Sequence, residues 1–128
     1  MYRYWISLAA VFGLTGVGMA AYTSHGLGFI TDPVARDAAR ATLQQAWQLQ
    51  LLHALALLGV GIWSQLAAPN RWRCAAGALL ALGVVLFSGL IYLRTFTGIE
   101  ALRPLVPWGG TSWMLGWLAL GVSAWRQR

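Results

Sequence analysis

The run 4–22 contains no charged side chain, and three further runs resemble it, within 41–68, over 74–93 and over about 108–125. A helix needs roughly 20 apolar residues to cross about 30 Å of hydrocarbon. Runs 4–22, 74–93 and 108–125 match that length, and the second is longer than it needs to be. Inside a bilayer every backbone amide must be paired within its own segment or a closed barrel. The expected fold is therefore all-α: an integral membrane four-helix transmembrane bundle, one domain over 1–128, with spans at about 4–22, 45–66, 74–93 and 108–125. Composition agrees. The chain is 59% hydrophobic and 9% charged, with a mean hydropathy of +0.61. A soluble domain carries about a quarter charged residues, so too little polar surface is available to face water.

The first run also has features of a signal peptide, with Arg3 ahead of it and the small residues "GMAA" near its end. Its full spanning length favours a retained transmembrane helix.

The positive charge is all arginine, nine against three acids, for a net +6. The arginines stand one or two at a time at the ends of the apolar runs. Nucleic-acid binding requires a basic stripe, and none is present. Placement at span ends suits topology signals and headgroup anchors. Four spans put Arg3, Arg71, Arg73, Arg126 and Arg128 on one side and Arg36, Arg40, Arg94 and Arg103 on the other. The short loop "APNRWR" is basic and free of acids. Both termini are expected in the cytoplasm of a multi-pass bacterial inner-membrane protein.

The longest loop contains "TDPVARDAARATLQQ". Asp32 suits an N-cap and Pro33 the first helical turn. Arg36, Arg40, Gln44 and Gln48 then recur on one face. This segment reads as an amphipathic, interfacial helix in the first loop, running into the second span.

Helices in lipid meet through small residues. The first span offers Ala9, Gly13, Gly16 and Ala20, the third Gly77, Gly83 and Gly89, and the fourth Ser112, Gly116, Ala119 and Ser123. Gly13, Gly16, Gly89 and Gly116 are the expected helix-packing positions. Trp5, Trp47, Trp72, Trp108 and Trp125 lie at span ends, as an aromatic belt does, whereas Trp63, Trp113 and Trp117 lie further in.

Against this background the stretch "WQLQLLHALALL" stands out, because Gln50 and His53 interrupt an apolar helix. With the topology above, His25, Gln50, His53, Ser88 and Tyr92 fall toward one leaflet. Gln50 and His53 share a helix face, as do Ser88 and Tyr92. Polar groups in hydrocarbon need partners, so the leading reading is an interhelical hydrogen-bonded core. The competing reading is a ligand site for a lipid-like or quinone-like headgroup near His53 and Tyr92. A haem between His25 and His53 is disfavoured, because His25 follows the first span beside Gly26 rather than facing His53 from a helix. The lone Cys74 excludes an intrachain disulfide. All three acids lie in loops, and no hydrolase or metalloprotease motif occurs. No catalytic residue, metal site or cofactor is expected.

"SHGL" at 24–27, "QLLHALAL" at 50–57, "LFSGLIYL" at 86–93, "PWGG" at 107–110 and "GW" at 116–117 follow one another along the chain. Together they resemble the YgdD-like family of small membrane proteins, a domain of unknown function (number 423) with eukaryotic transmembrane relatives. The resemblance rests on His25, Gly26, Gln50, His53, Phe87, Ser88, Gly89, Tyr92, Gly98, Pro107, Gly109, Gly110, Gly116 and Trp117. Ser24, Leu49, Leu52, Leu90 and Val106 depart from the family pattern. The resemblance implies a four-helix inner-membrane protein and no particular activity. The expected function is an accessory or structural subunit whose partners are membrane lipids and either further copies of itself, as a homo-oligomer, or a larger membrane complex.

Overall fold

The computed structural model describes residues 1–127. Arg128, counted in the charge balance above, lies outside the described residues. The described chain is helical, with no strand. α1 is Tyr2–His25, α2 Pro33–Leu66, α3 Arg71–Gly83, α4 Leu90–Thr97 and α5 Val106–Trp125. A π-helical segment, Val84–Gly89, joins α3 to α4 without a break, and short 3-10 turns occupy Leu27–Phe29 and Glu100–Leu105. Tyr2–His25, Pro33–Leu66 and Arg71–Thr97 are each long and apolar enough to cross a membrane.

Local chemistry explains the ends. Asp32 caps α2 by accepting from the Ala35 N–H at 3.2 Å, with Pro33 in the first turn. Thirty-four residues then run without interruption, about 50 Å at 1.5 Å per residue. The amphipathic segment of the first loop forms the first turns of α2 and runs into the second apolar run without a break, as expected from the sequence. Arg36 ties the preceding loop down, donating from Nε to the Ile30 carbonyl at 2.9 Å. Asn70 caps α3 by accepting from the N–H groups of Trp72 and Arg73, and its Nδ2 donates to the carbonyls of Ser123 and Arg126. α4 stops at Gly98, whose φ of 71° is the left-handed conformation that glycine adopts without a Cβ penalty.

α1 lies along α2, and α3 along α5, and the two pairs meet where α2 packs against α3 and the π segment. Trp5, Ala9, Leu57, Val60, Leu80, Val84 and Trp113 form the central core. A second cluster, Leu27, Leu43, Ala46 and Ile91, closes the end that carries the first and third loops. The Asn70 bonds bring the second loop to the end of α5, and Met1 Sδ lies 3.9 Å from Cys74 Sγ. The two chain ends and the second loop therefore share one end of the bundle, called the terminal end below. Outward-facing Leu14, Val17, Leu55 and Leu118 are exposed and apolar, the pattern of a protein whose solvent is lipid.

The small residues seat helices unevenly. A Cβ on Gly16 would lie 2.7 Å from Leu51 Cδ2, and one on Gly116 would lie 3.0 Å from Leu80 Cδ2. Gly13 has open space beside it, and Gly89 meets only the Val84 carbonyl of its own helix, at 3.8 Å. Neither seats a neighbouring helix of this chain. The tightest seats are Gly83, under the Trp113 indole, and Gly109, against the Phe87 backbone. α5 begins by resting on the widened π turn.

Candidate functional site

Gln50 is the hub of the buried polar groups and is 2% exposed. Its Nε2 donates to the Phe12 carbonyl at 2.9 Å and to Thr15 Oγ1 at 2.7 Å. Its Oε1 accepts from the Tyr92 hydroxyl at 2.6 Å. One amide thus links α1, α2 and α4. Four residues earlier on α2, the Ala46 carbonyl accepts from Ser88 Oγ at 2.8 Å. Ser88 belongs to the π segment and is fully buried. Such a segment, with bonds spanning five residues, widens a helix locally and often marks a functional site.

His53 belongs to a different set of contacts. Its Nδ1 lies 2.7 Å from the Leu49 carbonyl, an arrangement that requires the proton on Nδ1. Nε2 is then the acceptor for the Trp117 indole N–H at 3.2 Å. The imidazole stacks on Trp113, ring centroids 4.0 Å apart and planes 4° from parallel. Trp113 itself donates to the Leu80 carbonyl at 3.1 Å, and Ser112 to the Leu79 carbonyl at 2.7 Å. His53 therefore joins α2 to α5, with both ring nitrogens engaged.

The five expected residues thus divide. Gln50 and Tyr92 bond directly. Ser88 meets the same helix one turn away. His53 faces two tryptophans instead of Ser88 or Tyr92. His25 is the last residue of α1 and is exposed, so it does not join the others. Gln50 bonds to Phe12 and Thr15, midway along α1, and His53 stacks on Trp113, near the middle of α5.

Asp32, Asp37 and Glu100 are exposed near the opposite end from the chain termini. Two of them form surface ion pairs, Asp37 with Arg40 and Glu100 with Arg103. Among the described residues no three His, Cys, Asp or Glu side chains gather as a metal-holding group. With Nδ1 donating and Nε2 accepting, His53 offers no spare lone pair unless it gives up Trp117.

The family model for a protein of unknown function (DUF423) matches residues 19–110. This chain belongs to that family. The matched region carries Gln50, His53, Ser88, Tyr92 and Gly109. Relatives match over nearly their whole length. A UPF0382 membrane protein of Staphylococcus haemolyticus is 34% identical over 125 residues, covering 97% of each chain. The UPF0382 membrane protein YwdK of Bacillus subtilis is 32% identical, covering 95% of this chain and 96% of the relative. The UPF0382 inner membrane protein YgdD of Escherichia coli is 30% identical, covering 95% and 89%. No solved structure matches. This DUF423 chain is accordingly a helical membrane protein.

Sequence reasoning misses Thr15, the side-chain partner of Gln50 on α1, and the burial of Arg73. The sequence places Arg73 beside Arg71 as a topology signal, yet Arg73 is 2% exposed while Arg71 is exposed. Its Nε donates to Ser64 Oγ at 3.0 Å, Nη2 donates to the Ala68 carbonyl, and the guanidinium carbon sits 5.1 Å from the Trp63 ring. The signal was present in the spacing. Residues 73, 76, 77 and 80 lie at intervals of three and four and are all buried, so Arg73 lies on the packing face of α3.

Proposed function

We propose that this chain is a four-span bundle of the bacterial plasma membrane, with both termini in the cytoplasm, that acts as an accessory or structural subunit. α5, at 20 residues, reaches about 30 Å and supplies the fourth crossing. The first turns of α2 lie along the headgroups, with Gln44 and Gln48 turned outward. The reading assigns no catalytic step and no cofactor to the chain. It packs with further copies of itself or within a larger membrane complex.

The observation that carries this reading is the closure of the central polar core. Gln50, His53, Ser88 and Tyr92 direct their hydrogen bonds to groups of the same chain. Such bonds hold helices together where no water is available. The outward apolar faces and the unfilled space beside Gly13 are free to meet another helix.

A second reading has its own support. A groove of about 500 Å³ is lined by Phe12, Thr15, Met19, Gln50, Val84 and Tyr92, a size and apolar character suited to a lipid-like or quinone-like group. His53 does not line it.

Native mass spectrometry of the protein released gently from its own membrane separates the two. A homo-oligomer, or a complex with other proteins, supports the subunit reading. A lone 13.9 kDa chain carrying a small molecule that Tyr92→Phe loses would replace it with the groove reading.

A further inference from the structure

Among the described residues, three buried side-chain nitrogens have no hydrogen-bond partner: Trp5 Nε1, Trp47 Nε1 and Arg73 Nη1. Two of the three, Trp5 and Arg73, line the same cavity. It lies at the terminal end, measures about 450 Å³, and is also lined by Met1, Ser64, Arg71 and Cys74. This lies at the other end of the bundle from the loops that hold all three acids.

A buried guanidinium normally has a carboxylate or a full set of acceptors, because an uncompensated charge is expensive to remove from water. Arg73 has neither among the described residues. Its recorded partners are one hydroxyl, one carbonyl and one indole face, all neutral. The ion pairs recorded in the fold involve other arginines. Arg71 adds a second positive charge to the same wall. Positive charge, two buried donors without acceptors among the described residues, and an adjoining space together suit an anion.

The donors come from different helices, the indole from α1 and the guanidinium from α3. A tetrahedral group with several peripheral oxygens suits that arrangement better than a planar carboxylate, and arginine is well matched to phosphate. The cavity is larger than a phosphate alone. Ser64 and Asn70 add polar groups to the wall, and the Trp5 ring, Met1, Pro69 and Cys74 give it an apolar part that suits the start of an acyl chain. We infer that this cavity binds a phosphate group, held by Arg73 and Trp5, at the membrane-facing end of the second loop. The chemistry is shared by an anionic phospholipid and by free phosphate, and the apolar walls favour the lipid.

The test uses the full chain in a neutral detergent, titrated with phosphatidylglycerol, with phosphate-free diacylglycerol and with inorganic phosphate, and read by native mass spectrometry. One phosphatidylglycerol should be retained per chain and diacylglycerol should not. Arg73→Gln should weaken retention about tenfold or more, since a charge-assisted bond is lost. Trp5→Phe, which keeps an aromatic ring but loses the indole N–H together with the five-membered ring, should weaken it roughly threefold. Displacement of the lipid by millimolar inorganic phosphate would identify the free anion as the source, and resistance to it would identify the lipid. Equal retention of phosphatidylglycerol and diacylglycerol overturns the inference, as does wild-type retention by Trp5→Phe. That second variant decides the matter if Arg73→Gln does not fold.

Discussion

The Tyr92 hydroxyl donates to Gln50 Oε1 at 2.6 Å, and this bond joins the fourth helix to an amide already held by the first. Removing the hydroxyl leaves a buried carbonyl oxygen without its donor. Tyr92→Phe is expected to lower stability by about 1–2 kcal/mol, near the upper range for interhelical bonds in membranes. Unfolding in mixed micelles with increasing dodecyl sulfate measures it. A double-mutant cycle with Gln50→Leu should show coupling between the two sites of at least about 0.5 kcal/mol; additive losses would contradict a direct bond.

His53 is expected to act through packing as well as hydrogen bonding. His53→Ala removes the ring stacked on Trp113 and should cost about 2–4 kcal/mol, the range for emptying a core aromatic site. His53→Phe restores the stack and should recover part of the loss, leaving Trp117 Nε1 without its acceptor. If His53→Ala unfolds like the parent chain, the ring does not hold α2 to α5.

The glycines should respond in opposite ways. Gly109→Ala puts a methyl group against the Phe87 backbone, which cannot yield as a flexible side chain does. A loss of about 1–3 kcal/mol is expected from overpacking. Gly13→Ala meets open space and should be neutral or stabilising by up to about 1 kcal/mol, because alanine favours a helix. Thermal unfolding of the two variants side by side checks the pair. Equal destabilisation would mean that Gly13 is seated against something absent from the isolated chain, such as a second copy.

Asn70 closes the terminal end by capping α3 and bonding to the last turn of α5. Asn70→Ala should lower stability by about 1–2 kcal/mol through loss of the cap. It should also speed amide exchange at Trp72 and Arg73 before the rest of α3. Protection that stays unchanged at those two amides would remove the cap from the account.

Helical class, membrane character and the Asp32 start were legible in the chain because they depend on local properties. Hydropathy over some 20 residues selects a membrane helix, and a short acceptor side chain before proline selects its first turn. The rotation of each helix about its axis was less legible. Small residues marked a packing stripe at both Gly13 and Gly16, yet only Gly16 meets Leu51. Both have the same local signature, and the difference lies in what stands opposite.

The π segment was hidden for a related reason. No proline interrupts residues 71–97, so hydropathy reports one span of ordinary helix. The extra residue in the turn is stabilised by contact, with Gly109 against Phe87 and Ser88 bonded to Ala46.

The amino-acid sequence by itself determined that this protein is helical, that lipid is its solvent, and that Gln50 and His53 must find partners inside it. Only the tertiary structure decided who those partners are. Depth and rotation depend on long-range packing, so Gln50 meets Thr15 and Tyr92, His53 meets two tryptophans, and His25 remains at the surface. The same packing buries Arg73 beneath a cavity, whereas its close neighbour Arg71 stays exposed.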